Sequence, residues 1–122
     1  MAATMADYHV LSDPGYRLSP QDELQLDFNP PNDIVLSGNP VHRPVLSFRV
    51  YVPVAENPSL TSRVTVKIGT TKLFDATKFQ AGYTTIYEVL NFSNLTTGNQ
   101  TFKFTTDSFG SISDVIIWYK RN

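Results

Sequence analysis

The sequence predicts an all-β domain, an antiparallel two-sheet β-sandwich with jelly-roll topology and about eight or nine strands. Two observations support this prediction. Apolar and polar residues alternate with a period of two over several segments, which is the pattern of strands with one buried face. Clusters of Gly, Pro, Asn, Asp and Ser separate these segments at the short spacing that is typical of sandwiches and barrels.

The chain has 122 residues and no internal repeat, which predicts a single domain over residues 1–122. A domain of this size buries about two-thirds of its unfolded surface, so its core is large enough to fold without cross-links. The sequence contains no cysteine. Disulfides, zinc–thiolate sites and cysteine nucleophiles are therefore excluded.

The clearest alternation runs over residues 45–54, and weaker copies of it cover residues 24–28, 63–68 and 101–105. We expect one set of alternate side chains to point inward from these strands. That predicted core consists of Leu46, Phe48, Val50, Val52, Val64, Val66, Ile68, Phe102 and Phe104. Shorter strands are predicted at residues 7–11, 33–36, 71–75, 83–89 and 113–120, and a helical turn at residues 92–96.

Charge and hydropathy exclude two classes of partner. The net charge is −1 and no segment is polybasic, so we expect no nucleic-acid partner. No stretch approaches the roughly 18 apolar residues of a membrane span, so we expect no such span. The N-terminus has neither the basic start nor the apolar run of a secretory signal, and the compartment stays open.

The stretch from Val64 to Phe104 resembles the galactose-binding-like jelly rolls, a family that includes carbohydrate-binding modules. The motifs that carry the resemblance are Val64–Gly69, Leu73-Phe74, Gly82-Tyr83, Ile86–Val89 and Leu95–Phe102, followed by the closing run Ser113–Ile117. The resemblance implies a jelly-roll fold, a glycan ligand and a structural calcium ion near the last strand.

Exposed aromatic rings are the residues most suited to such a ligand, because sugars present flat apolar faces and a few polar groups. The candidates outside a clear core register are Tyr51, Tyr83, Tyr87, Phe109 and Trp118. We therefore predict a non-catalytic, lectin-like module that binds its ligand through Tyr83, Tyr87, Trp118 and Tyr51. For each tyrosine, the alternative is a packed or edge-covering ring.

Calcium is the one cofactor that the sequence suggests, because carboxylates are the hard oxygen ligands that it prefers. The candidate ligand is Asp114, together with Asp22 or Glu23. In the alternative interpretation, Asp114 caps a turn or pairs with a basic side chain.

Catalysis has little support in the sequence. His9 and His42 are the only imidazoles, and there is no Gly-x-Ser-x-Gly motif around a nucleophile. Carboxylates are numerous enough for a glycosidase pair, but the sequence cannot place two of them at the required separation. We therefore expect that the protein is not an enzyme.

The closing strand suggests a second kind of function. Ile116 and Trp118 share a face, whereas Val115 and Ile117 lie on the other, so both faces of the strand are partly apolar. The proline-rich stretch 30–44 is one predicted cover for Ile116 and Trp118. The alternatives are a sugar platform or a subunit interface, and the latter would make the chain a structural subunit of a homo-oligomer or larger particle.

Overall fold

The computed structural model describes residues 5–19, 21–52, 62–79, 82–107 and 110–122. Two single 3-10 turns, Pro40–His42 and Phe92–Asn94, are the helical elements of these ranges, and neither is long or apolar enough to cross a membrane. The described strands are β1 (Met5–Ser12), β2 (Tyr16–Leu18), β3 (Leu24–Phe28), β4 (Val45–Val52), β5 (Ser62–Ile68), β6 (Thr71–Phe79), β7 (Gly82–Val89), β8 (Gln100–Thr106) and β9 (Gly110–Arg121).

The strands form two antiparallel sheets that confirm the predicted jelly-roll sandwich. The first sheet has the order β1-β9-β4-β7, and β2 pairs with the beginning of β9 on the same side as β1. The second sheet has the order β3-β8-β5-β6. Among the described strands, β5 and β6 are the one consecutive pair that is hydrogen-bonded as a hairpin, while the other consecutive strands cross between sheets or lie apart, as in a jelly roll.

The predicted core lies between the two sheets. Eight of its nine residues are buried, and Ile68 is half-buried at the end of β5 against the same cluster. Phe48 of the first sheet meets Phe104 of the second edge to face, with ring centroids 5.4 Å apart. Aromatic rings favour this edge-to-face geometry because of their quadrupoles. The contact lies at the centre of the sandwich and joins the two sheets.

A β-bulge in β9 changes the alternation that the sequence suggests. Ile112 and Val115 are both buried although they are three residues apart, because the register of β9 against β4 shifts between Ser113 and Ile116. Asp114 lies within this bulge and has a φ of 49°. Few residues other than glycine, asparagine and aspartate adopt a positive φ. The bulge lets β9 bury residues on the core side along its whole length.

Three local predictions need correction. Residues 33–36 form an isolated bridge instead of a strand: Ile34 pairs with Arg121, flanked by hydrogen bonds from Val35 N to Lys120 O and from Asn122 N to Asp33 O. The short strand β2 was missed, since Leu18 is its one buried side chain and gives no alternation. The predicted helical turn exists but covers only Phe92–Asn94. Val54 lies outside the described residues.

Candidate functional site

The outward side chains of β1, β9, β4 and β7 form one surface, which we call the aromatic face. Its apolar half consists of two cross-strand rows: Tyr8, Trp118, Val45 and Val89, then Val10, Ile116, Ser47 and Tyr87. Ser47 is the one polar residue of the two rows. An antiparallel sheet face that meets water is normally polar, so these rows need another explanation.

Trp118 is fixed in orientation on this face. Its indole Nε1 donates a hydrogen bond of 2.9 Å to Ser47 Oγ, and Ser47 is only 5% exposed. The ring of Tyr8 lies against the indole, with centroids 5.2 Å apart. Trp118 nevertheless remains 40% exposed and Tyr8 55% exposed. The pair therefore presents a pre-oriented aromatic surface to solvent.

A shallow depression of about 280 Å³ lies beside Trp118. Three of its lining residues are charged, namely Asp7, Arg43 and Lys120, and of these Asp7 lies opposite Tyr119, so its carboxylate is on the core side of β1. The guanidinium of Arg43 is held in place, because its Nε donates to Leu90 O and its Nη2 to Asn91 Oδ1, each at 2.8 Å. The remaining lining residues are Ala6, Val41, Val45 and Tyr119.

An arginine at the end of β9 holds Asp7 in place. Arg121 donates from Nε to Asp33 Oδ1 at 2.8 Å and from Nη1 to Asp7 Oδ2 at 3.2 Å. The backbone N–H of Tyr8 also donates to Asp7 Oδ1, and together these donors hold the pKa of Asp7 below its ordinary value. Asp7 is therefore an ionised hydrogen-bond acceptor at neutral pH and is unsuited to donating a proton as a general acid.

A second group of predicted residues lies at the other end of the aromatic face. The rings of Tyr51 and Tyr83 are 4.7 Å apart, and the guanidinium carbon of Arg49 lies 5.8 Å from the centroid of Tyr83. Tyr83 is 71% exposed. Tyr51 is six residues from Val45, the neighbour of Trp118, so this group lies about 20 Å from the tryptophan.

The structure thus places the four predicted ligand-binding residues on one face but in separate positions. Tyr51 and Tyr83 contact each other, and Trp118 lies at the depression. Tyr87 stands between the two groups opposite Ser47, with 68% of its surface exposed. Phe109 lies outside the described residues.

Asp114 has a basic partner. Its Oδ2 lies 3.4 Å from Arg49 Nη1, which is the pairing that the alternative interpretation expected. Within the described parts of the chain, no group of three or more His, Asp or Glu side chains could share a metal ion, and Asp22 instead accepts hydrogen bonds from Ser19. Calcium at Asp114 stays a prediction.

The prediction that residues 30–44 cover Ile116 and Trp118 is wrong. Val35 N donates to Lys120 O at 2.8 Å, so the beginning of this stretch runs alongside the end of β9, and Trp118 remains 40% exposed. Its 3-10 turn contributes Val41 to one wall of the depression. The tryptophan is therefore flanked by the proline-rich stretch and remains open to solvent.

Four site residues were missed by sequence reasoning: Tyr8, Asp7, Arg43 and Lys120. Tyr8 and Val10 share a face of the predicted strand 7–11, and that spacing could have indicated a second aromatic position. Arg43 lies in an irregular segment, where no periodicity relates it to Trp118. Arg43 reaches the depression because of the path that the chain takes after the 3-10 turn Pro40–His42.

Comparisons with known proteins do not assign a family. A scan against protein-family models finds no match, and a search of curated proteins finds no similar sequence. The resemblance to galactose-binding-like modules stays a prediction. What the aromatic face binds must therefore be inferred from its own geometry.

Proposed function

We propose that the protein is a non-catalytic carbohydrate-binding module and that the depression beside Trp118 holds the sugar. The observation that carries the proposal is a half-exposed indole, fixed by Ser47 and Tyr8, on the wall of a depression of about 280 Å³. That volume is near the lower end of the range for small-molecule sites, so it suits one or a few sugar rings.

The polar groups around the ring support a sugar in preference to a purely apolar ligand. Arg43 and Lys120 line the depression and carry N–H donors, and the Tyr8 ring beside the indole carries a hydroxyl that can accept as well as donate, so sugar hydroxyls would find both kinds of partner. Arg43 is already held by other hydrogen bonds. Pre-oriented groups lose little conformational entropy when a ligand binds, which favours a shallow site.

Binding without turnover is supported by the electrostatics of the same site. Glycoside hydrolysis normally needs one carboxylic acid whose pKa is raised so that it can protonate the leaving group. Among the described residues that line the depression, Asp7 is the acidic one, its side chain lies on the core side of β1, and its pKa is lowered by the Tyr8 N–H and Arg121. This carboxylate is therefore unsuited to protonating a leaving group, which favours binding without turnover.

The test is a fluorescence titration with a panel of neutral, amino and uronic-acid oligosaccharides. Trp118 is the only tryptophan, so its emission reports directly on the depression. We expect at least one saccharide to change the emission of the wild-type protein, and Trp118→Ala to lose its binding by calorimetry. Tyr83→Ala, on the same face but distant from the depression, is the matched control and should bind as the wild type does.

Two results would contradict this proposal. The first is a complete absence of binding across the panel. The second is loss of binding in Tyr83→Ala with full binding in Trp118→Ala, which would move the site to Tyr51 and Tyr83.

The apolar half of the aromatic face favours a second candidate function, a structural subunit of a homo-oligomer or larger particle. Seven of the eight residues in its two rows are apolar or aromatic, and aliphatic residues such as Val10 and Val89 add little to a sugar site. Exposed apolar patches of this kind often mark protein interfaces. If this candidate is correct, Val10→Ser should weaken the oligomer, which lowers the apparent molecular mass in solution, and should leave saccharide binding intact.

A further inference from the structure

Strand β7 forms an open edge of the first sheet. All eight of its residues, Gly82–Val89, pair with β4, and the register continues without a shift from one end to the other. Among the described residues, no strand pairs with the other side of β7. An edge of this length presents a row of backbone N–H and C=O groups to any further strand.

The composition of β7 favours strand pairing. Its sequence, Gly-Tyr-Thr-Thr-Ile-Tyr-Glu-Val, is rich in aromatic and β-branched residues and contains neither proline nor lysine. Tyr83, Tyr87 and Val89 are all more than half exposed on the aromatic face. The single charge is Glu88, so the devices that usually protect an edge are almost absent from this strand.

The other sheet edges are each interrupted or charged. β6 carries Lys72 and Asp75 and shows two register shifts against β5. β3 has only five residues and is followed by Pro30-Pro31, and β1 has a register shift between Val10 and Ser12. Because bulges, charges and prolines discourage further pairing, β7 is the least protected edge of the described structure.

We propose that β7 pairs antiparallel with β7 of a second copy of this chain around a two-fold axis. In the register centred on Ile86, that residue lies opposite its own copy and Tyr83 lies opposite the partner's Val89. Glu88 then faces the partner's Thr84, so like charges do not meet. The strand is thus complementary to itself, which is what an isologous two-fold contact requires.

The corresponding pairing of β6 shows why the second copy would choose β7. In a two-fold pairing centred on the middle of β6, Asp75 would face itself, and directly opposed like charges destabilise a sheet. The β7 pairing instead joins the two first sheets into one continuous sheet and brings the two aromatic faces side by side. Both depressions would then open on the same surface, an arrangement that strengthens binding to a multivalent ligand.

This pairing goes beyond the proposed carbohydrate binding, does not depend on it, and uses a contact other than the apolar half of the aromatic face. The test is sedimentation velocity of the full chain over a wide range of concentrations. We expect a dimer for the wild type and at least about a tenfold weaker dimer for Thr85→Lys, because an edge lysine opposes strand addition. Thr77→Lys, an exposed position on the edge strand β6, is the matched control and should dimerise as the wild type does.

Two further measurements keep the proposal open to refutation. Thermal melting shows whether Thr85→Lys folds, and Tyr87→Lys, at another exposed position of β7, replaces it if it does not. Hydrogen exchange should show that amides of residues 82–89 become protected as the wild-type protein is concentrated. A wild type that stays monomeric at high concentration would overturn the proposal, as would a dimer that both β7 variants leave unchanged. A dimer lost only in Val10→Ser would assign the contact to the apolar half instead.

Discussion

The outer faces of the two sheets differ although both sheets enclose the same core. On the second sheet the outward side chains are polar or charged: Gln25, Asp27, Arg63, Thr65, Lys67, Asp75, Lys103 and Thr105. On the first sheet two whole rows are apolar except for Ser47. The fold therefore does not require an apolar outer face. A departure on one sheet only supports the proposal that this face is a binding surface.

On the polar face, Asp75 is held by local partners. Asp75 accepts hydrogen bonds from Arg63, with a Nε–Oδ1 distance of 2.7 Å, and also from Thr65 and Lys72. The Arg63 guanidinium, as the largest cause, holds the pKa of Asp75 far below its ordinary value. Because these groups are exposed, the network contributes little stability, but it leaves the face well solvated.

The largest expected effect comes from the core that both faces share. Phe104→Ala should lower the free energy of unfolding by about 3–5 kcal/mol, because it removes a fully buried ring and leaves a cavity between the sheets. Thr105→Ala, the outward neighbour on β8, is the control and should change stability by less than about 0.5 kcal/mol. Urea denaturation measures both. A near-wild-type midpoint for Phe104→Ala would show that the strand register is wrong.

The next effect concerns the support of Trp118. Ser47→Ala removes the acceptor of the indole N–H and should cost about 1 kcal/mol of stability. The freed ring should also lose steady-state fluorescence anisotropy, since the hydrogen bond no longer fixes it. Ser113→Ala, an outward serine on β9 near Arg49, provides the comparison. Equal anisotropy in the two variants would mean that Ser47 does not orient the indole.

Asp114 tests whether the bulge in β9 is strained. Asp114→Gly should be more stable than Asp114→Ala by about 1 kcal/mol, because glycine adopts a positive φ without the steric cost of a Cβ atom. Thermal melting of the two variants measures the difference. The same melts with and without a chelator test the predicted calcium ion, since loss of a native-state ligand lowers the melting temperature. An unchanged wild-type melt would leave Arg49 as the partner of Asp114.

The smallest effect is expected on the polar face and depends on pH. The folded-state pKa of Asp75 lies below its ordinary value of 3.8, so its contribution to stability is present above that pH and is lost as the pH falls further. Asp75→Asn should therefore melt slightly below the wild type at neutral pH, and the gap should close in acid. A gap that stays constant between pH 7 and pH 2.5 would exclude the ionised pair as its cause.

The strands and the core could be predicted from the sequence because burial imposes a period of two. Phe48, Val66 and Phe102 follow that rule without exception. The bulge at Asp114 could not be predicted. An extra residue in one strand shifts which side chains point inward after it, but it leaves no distinctive residue type in the sequence. The bridge from Ile34 to Arg121 also depends on long-range packing that the local pattern does not contain.

The candidate site was predictable only in part. Trp118 stood out because Ile116 and Trp118 make the second face of a strand apolar. Its neighbours Tyr8 and Arg43 are more than 70 residues away in sequence, and only the pairing of β1 with β9 and the path of residues 40–43 bring them close. The sequence therefore identified Trp118 as a candidate site residue, whereas the residues around it could be found only from the tertiary structure.

The most direct test of the account is a map of the bound saccharide by amide chemical-shift changes in the wild-type protein. The ligand is the member of the oligosaccharide panel that changes the emission of Trp118 most. We predict that the largest shifts fall at residues 6–8, 41–45 and 118–120, around the depression, with little change on the outward positions of β5 and β8. Shifts concentrated on the polar face would contradict the claim that the aromatic face is the binding surface.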